Sequence, residues 1–335
     1  MPSLIVPEGY RPALSLYETQ TAVGAVKRLF EDALSGALGL KRVSAPLFVD
    51  PKTGLNDDLS GVERPVEFGI LETGGRAQIV HSLAKWKRMA LSRYGFPPGE
   101  GLCADMNAIR RDDDMDNLHS IYVDQWDWEK VIARGERSIE TLKSAAAAIA
   151  GAICGVGERL REMFPALAGG HSREIAFATS QELEDAYPGL EPSRREDEFL
   201  RERRTALVMQ IGGALRSGQR HGARAPDYDD WALNGDILLW SDVLGRAVEV
   251  SSMGIRVDEK SLDEQLRLSG CDDRRGLEYH RMLLEGRLPL TMGGGIGQSR
   301  LCMLLLEKAH IGEVQVSIWD EATELGCAAA GIPLL

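Results

Sequence analysis

The 335-residue chain is short of positive charge. Its 39 Lys and Arg stand against 51 Asp and Glu, for a net charge of -12. That deficit argues against a general nucleic-acid surface, which needs excess Lys and Arg to replace counterions, but it leaves room for a local cationic pocket. Cysteine is sparse as well. Cys103, Cys154, Cys271, Cys302 and Cys327 are scattered, odd in number and without a C-x-x-C pair. No structural zinc or disulfide frame is expected from them, and reduced thiols in a cytoplasmic protein are. Residues 1–11 lack the basic flank and long apolar core of a signal peptide. The longest weakly apolar run, 145–156, is rich in Ala and Gly and too short to cross a bilayer. Repeats, low-complexity tracts and linkers are also missing; the length suggests one large domain or two intimate ones, and a single domain over 1–335 is expected.

What is present alternates irregularly between helical and strand-like stretches. Val23, Val26, Leu29, Phe30, Leu34 and Leu38 recur at helical spacing over 16–39. Residues 41–50 are β-branched and apolar around Pro46, as in an edge or interface strand. Residues 66–82 read as paired strands about Gly74-Gly75, and the next stretch opens a helix with Ser82 placed to cap it. On that helix Lys85 and Arg88 share a face and Lys87 does not; such charges ordinarily form a solvated face.

Residues 101–110 and 119–129 read as a hairpin. On its second limb Ile121, Val123, Gln125 and Asp127 lie on one face, and Tyr122, Asp124, Trp126 and Trp128 on the other. A strand so polar on both faces is either ligand-facing, with Gln125 free to grip a carboxylate or amide, or an exposed edge laced with salt bridges. A long helix follows over 136–164, helped by Ala145 to Ala148, and a buried strand over 206–211. Residues 212–233 form a polar loop of the kind that is commonly functional. Asn234-Gly235-Asp236 is a turn signal ahead of a strand at 237–240. Glu249 sits inside the apolar strand 247–252 with Arg256 seven residues on, which marks either a lined pocket or an internal ion pair. Elements interspersed in this way, without regular βαβ alternation, predict an α+β domain: a mostly antiparallel sheet flanked by helices.

The stretch Gly293-Gly294-Gly295-Ile296-Gly297-Gln298-Ser299-Arg300 runs into the apolar residues 301–306. It matches neither the phosphate-loop nor the dinucleotide pattern. Its glycines permit a sharp turn and close approach of a ligand. Arg300 falls in the first turn of a helix, where free N–H groups and partial positive charge favour an anion. Taken alone, the stretch reads equally as a packing turn from strand to helix or as an anion seat.

Further matches turn these features into one pattern. They are Asp57-Asp58-Leu59-Ser60-Gly61 and the segments 80–88, 119–129, 224–231, 233–236, 251–258 and 293–301. In this order they resemble the ammonia-dependent aspartate–ammonia ligases, asparagine synthetases built on the catalytic fold of class II aminoacyl-tRNA synthetases. The resemblance implies amidation of L-aspartate by ammonia through a β-aspartyl-adenylate, with ATP as substrate, Mg²⁺ as cofactor, and AMP and pyrophosphate as by-products. It also implies a cytoplasmic homodimer with no anticodon-binding or glutaminase domain, no nucleic-acid partner and no membrane association.

The same resemblance assigns Arg110 to bridge the α-phosphate and the β-carboxylate, since a planar fork suits both. Arg300 goes to aspartate or, alternatively, to phosphate. Lys87, Gln125, Ser82 and Ser251 complete the aspartate pocket. Asp57 contacts the amino-acid head or attracts and deprotonates ammonium. Ser120, Asp229, Asp236, Glu249, Ser252 and Arg256 fall to the nucleotide, with Asp236 and Glu249 as Mg²⁺ ligands. Rival readings need features that are lacking. A tRNA synthetase-like ligase needs an anticodon module, a glutamine-dependent enzyme needs a cysteine where Met1-Pro2-Ser3 stands, and a non-catalytic sensor would have lost pocket residues that are all filled.

Overall fold

In the computed structural model, which describes residues 4–57 and 63–335, the chain begins with a long helix, α1 (Leu16–Leu38). A reciprocal cap between Ser15 and Glu18 starts it, and Gly39 in the left-handed region at φ 71° ends it. Strand β1 (Leu40–Arg42) follows. A small antiparallel sheet comes next, built from β2 (Phe48–Val49), β3 (Glu67–Gly69) and β4 (Arg76–Ile79), and then α2 (Ala84–Tyr94). The hairpin read from the sequence is β5 (Gly101–Ile109) with β6 (Tyr122–Val131). Helix α3 (Ile139–Met163) leads to β7 (Ala176–Thr179), α4 (Ser180–Ala186), α5 (Pro192–Arg203) and β8 (Thr205–Met209). Two long strands, β9 (Asp229–Ser241) and β10 (Arg246–Arg256), form a second hairpin. Helices α6 (Glu259–Leu268) and α7 (Glu278–Leu284) precede β11 (Thr291–Gly297), which runs directly into α8 (Gln298–Leu305).

The main sheet has eight strands in the order β1-β5-β6-β11-β10-β9-β8-β7. Its two outermost pairs are parallel and every pair between them is antiparallel. One face carries Trp126, Trp128, Ile237, Leu239, Val248, Val250, Met253 and Ile296 against α1, α3 and α8. Phe30 of α1 meets Trp126 at a ring separation of 4.7 Å. Burying each large apolar side chain of this layer contributes roughly 1.5–3 kcal/mol, so the layer is what fixes the sheet. Helix α3 fills the long helical stretch expected over 136–164. By length and hydropathy it could pass for a membrane span, but Leu142, Ile149, Ile153 and Leu160 are buried in this core.

The opposite face carries α2, α6 and α7 at one end and α4 and α5 at the other. Two sequence expectations change here. Asn234-Gly235-Asp236 is no turn but the middle of β9. The Asn234 amide bonds both N–H and C=O of Ile211 at 2.8 Å, and a Cβ on Gly235 would come within 2.7 Å of the Val208 carbonyl oxygen. The helix cap also shifts: Ser82 Oγ accepts from Ala84 N at 3.1 Å, while Leu83 occupies the cap position.

Candidate active site

The glycine stretch is a strand in the middle of the sheet, not a turn, and none of its glycines has positive φ. Gly293, Gly295 and Gly297 pair opposite Glu129, Asp127 and Gln125 of β6. On the other side, Gly293 and Gly295 pair with Gly254 and Ser252 of β10. Glycine is required by space rather than by dihedral angle. A Cβ on Gly293 would overlap the Glu129 carboxylate and sit 2.6 Å from the Trp128 carbonyl oxygen, and one on Gly295 would overlap the Gln125 amide. The strand is therefore a bare floor between polar strands.

Two cavities open on this floor. The smaller, about 80 Å³, is lined by Ser82, Lys87, Asp127, Tyr228, Asp229, Ser252 and Arg256. The larger, about 230 Å³, is lined by Ser120, Asp124, Glu249, Ser299, Arg300 and Gln315 among others. Arg110, Gln125 and Gly295 line both. Arg110 thus stands on the boundary. Its Nη2 donates to the His81 carbonyl at 3.2 Å, and its buried Nε has no hydrogen-bond partner.

The small cavity is built from charges removed from water. Lys87 is 1% exposed and its Nζ pairs with Asp127, with the Gly294 carbonyl at 2.9 Å and Glu129 at 3.9 Å. Arg256 grips both oxygens of Glu129 at 2.8–3.1 Å and also pairs with Asp229. Burial pushes the Glu129 carboxyl up, but the Arg256 charge and hydrogen bond and the Lys87 charge hold it below the usual range. Burial prevails at Asp229, which is raised despite Arg256 and Arg224. Three carboxylates thus face two buried cations. Asp127 Oδ2 is buried with no partner, an open acceptor in the same cavity that Arg110, with its open donor, lines.

The structure redistributes several of the expected site residues. Asp229, Ser252 and Arg256, assigned to the nucleotide, line the small cavity with Lys87, Ser82 and Gln125. Arg300 lines only the large cavity and donates to the Glu249 carbonyl at 2.8 Å. Ser120, also assigned to the nucleotide, lines the large cavity. Ser251 is not brought to the site. The strand irregularity between Glu249 and Ser251 sets Ser251 opposite Ile237 and Ile296 of the core layer, leaving its Oγ buried there without a partner. Glu249 does not pair with Arg256, which is held by Glu129 and Asp229. Strand β6 is central, not an exposed edge.

Asp57 is 3% exposed and lies outside both cavities, in a third of about 240 Å³ with Lys85 and Gln78. Its charge reaches Tyr228, whose hydroxyl burial pushes well above its ordinary value, with Asp57 and Asp229 adding to the rise. The rest of that motif, Asp58, Leu59, Ser60 and Gly61, falls outside the described residues, as do Met1, Pro2 and Ser3. Lys85, Lys87 and Arg88, expected to be solvated, are all buried. Asp127 and Tyr228 were missed as site residues. Asp127 was findable, because strand alternation puts it on the face of Gln125.

Hard oxygen donors for a cation stand at Glu249 and Asp236. Asp236 is already held by Arg224 and by Ser252 Oγ at 2.9 Å. The Glu249 carboxylate accepts no hydrogen bond among the described residues and lines the large cavity, which leaves its oxygens open to a hard cation. Burial pushes the Asp236 carboxyl up to about 7; Arg224 opposes this and the Glu249 charge adds to it. A carboxyl raised in the folded state stabilises the fold fully below its unfolded value of 3.8, and that contribution is lost as pH rises through 7. Asp236→Asn removes the titration. Its Tm relative to the parent, followed by calorimetry from about pH 4 to about pH 8, is expected to shift in the variant's favour. A difference independent of pH would contradict the raised value.

Comparison with known proteins agrees with this geometry. Among solved structures, asparaginyl-tRNA synthetase from Entamoeba histolytica in complex with asparaginyl-adenylate superposes with a TM-score of 0.65 at 13% identity, over 90% of this chain and 66% of that one. The asparaginyl-tRNA synthetase of Pyrococcus horikoshii complexed with asparaginyl-adenylate gives 0.65 at 14%, over 89% and 68%. These likenesses establish the class II aminoacyl-tRNA synthetase fold. In sequence, the aspartate–ammonia ligase of Ruminiclostridium cellulolyticum strain H10 is 56% identical over 336 aligned positions, covering 100% of both chains. That of Lactobacillus johnsonii is 53% identical over 99% of this chain and 100% of its own. The family model for aspartate-ammonia ligase matches residues 17–331. With fold, site and sequence in agreement over nearly its whole length, the chain belongs to the aspartate–ammonia ligase family.

Proposed function

We propose that the protein converts L-aspartate, ATP and ammonia to L-asparagine, AMP and pyrophosphate through a β-aspartyl-adenylate. The observation that carries this reading is a small charged cavity lined by both Asp127, with an open acceptor, and Arg110, with an open donor, which shares Arg110, Gln125 and Gly295 with a larger one. An amino acid meets the first need with its ammonium and the second with its side-chain carboxylate.

In the first step a β-carboxylate oxygen attacks the α-phosphorus, and the bond to the β-phosphate breaks to release pyrophosphate. Two anions must approach, so donors fixed in advance at the junction lower the barrier most. Arg110 bridges the reacting carboxylate and phosphate, and Arg300 neutralises phosphate on the nucleotide side. Ser82, Lys87, Gln125, Asp127, Asp229 and Ser252 hold the aspartate, with Arg256 fixing the acids of the wall. Ser120 contributes to the nucleotide side. Glu249, with Asp236 beside it, would hold Mg²⁺, which supplies charge neutralisation on the phosphate chain when bound. In the second step the nitrogen of ammonia attacks the acyl carbon, the bond from that carbon to the phosphate oxygen breaks, and AMP leaves. Ammonia arrives largely as ammonium at neutral pH, and the buried carboxylate of Asp57 attracts it and takes its proton. A single catalytic domain, a homodimer and a cytoplasmic setting complete the proposal; exposed Leu16 and Tyr17 on α1 offer apolar surface for the dimer.

Incubation with aspartate, ATP, Mg²⁺ and ammonium is expected to yield asparagine with equal AMP and pyrophosphate. Formation of ADP and phosphate, or turnover only with glutamine, would contradict the reading.

A further inference from the structure

A separate knot of charge lies behind the wall of the small cavity. Asp227 is fully buried and directly precedes Tyr228 and Asp229, which both line that cavity. Three basic side chains converge on its Oδ2. His280 Nε2 of α7 lies at 2.8 Å, Arg274 Nη1 at 2.9 Å and Lys85 Nζ of α2 at 3.4 Å. His280 is fully buried and Lys85 is 4% exposed. The partners lie 142, 47 and 53 residues away in sequence, so one carboxylate joins its own loop to α2 and to the stretch 274–280.

The joined parts both belong to the site. Helix α2 carries Lys87 two residues beyond Lys85, and Lys87 reaches across to Asp127 on the sheet. The loop side of the wall is held elsewhere through its main chain. Gln265 of α6 donates to the carbonyls of Pro226 and Asp229 at 2.9 Å, and Val257 N donates to the Tyr228 carbonyl at 2.9 Å. Those bonds fix the loop to α6 and β10. Among the described residues, the bond from Asp227 to Lys85 fixes it to α2. Burial works against an ionised Asp227, yet Lys85, the His280 hydrogen bond and Arg274 hold its carboxyl well below the usual range. Stability alone does not call for such a cluster, since apolar side chains of equal volume serve that purpose as well.

We propose that Asp227 is a positioning residue for the amino-acid half of the site: by binding Lys85, Arg274 and His280 together it locks the segment carrying Tyr228 and Asp229 to the helix carrying Lys87, and so sets the width of the pocket for the aspartate head group. The inference rests on the reading of that cavity as the aspartate site. A pocket widened by an ångström loses its grip on a small ligand steeply, whereas the large cavity shares no wall with this segment.

The test is steady-state kinetics of Asp227→Asn against the parent protein, with Tm recorded for both. KM for aspartate is expected to rise by roughly 10- to 100-fold, and KM for ATP to stay within about threefold. A purely structural role would lower Tm and leave both KM values, or raise them equally; either result overturns the proposal. Should Asp227→Asn fail to fold, Lys85→Met, which leaves the carboxylate two basic partners, carries the same expectation. A parent protein that forms no AMP from aspartate overturns the aspartate reading and this inference with it. Parent activity with an unmoved KM for aspartate in the variant overturns this inference alone.

Discussion

Arg110→Ala lowers kcat/KM for AMP formation by about 10²- to 10³-fold, the usual loss when one fixed donor to a developing charge is removed. The fold survives the change. Among the described residues the Arg110 side chain makes one long bond, to a backbone carbonyl at 3.2 Å, and its Nε bonds nothing, so the loss in stability stays within about 1 kcal/mol. This combination is diagnostic. A charged group held half-buried on the boundary of two cavities, with few internal partners, is oriented for a ligand. Arg110→Lys restores charge without the planar fork and is expected to recover only part of the rate. Matched measurements of kinetics and Tm on the three proteins decide the matter. A large drop in Tm in Arg110→Ala with near-normal kcat/KM would reverse the assignment.

Arg256→Met shows the opposite profile. Arg256 is 2% exposed and binds Glu129, which is fully buried, and Asp229, which is 2% exposed. Its removal leaves two carboxylates in the interior, with Lys87 at 3.9 Å the remaining cation near Glu129. Breaking a buried pair from one side costs about 3–5 kcal/mol, far more than the pair itself contributes. Urea unfolding should show a fall in the midpoint with an unchanged slope. Glu129→Leu added to Arg256→Met should recover part of the loss, because it removes one of the two unpaired charges. A loss below about 1 kcal/mol in the single variant would show that water reaches the network.

Much of this arrangement is legible in residue order, and what is not has identifiable causes. The 16–39 helix, the two limbs of the hairpin and the polar face of 119–129 follow from periodicity, which reports burial of one side. Local signals fail where distant partners override them. Asn234-Gly235 has the composition of a turn, but Asn234 is claimed by Ile211 and Gly235 by the backbone of β8. Lys85, Lys87 and Arg88 look like surface charge because their partners, Asp227, Asp127 and the Val257 carbonyl, lie 142, 40 and 169 residues away. The division of the site into its two halves was hidden by one irregularity in β10. It turns Ser251 to the core and leaves Glu249 and Ser252, three residues apart, each lining a cavity. Alternation over a regular strand cannot anticipate that. The glycines of β11 carried a functional signal whose mechanism differs from a turn: they keep side chains off the floor.

The central claim is that the β-carboxylate of aspartate is activated by transfer of AMP. It is tested most directly with aspartate labelled with ¹⁸O in that carboxylate, under turnover with ATP, Mg²⁺ and ammonium. Attack of the carboxylate oxygen on the α-phosphorus leaves that oxygen on phosphorus when ammonia displaces AMP. Mass spectrometry should therefore find one labelled oxygen in each AMP formed. Label in inorganic phosphate, or AMP that carries no label while labelled asparagine forms, would contradict the account.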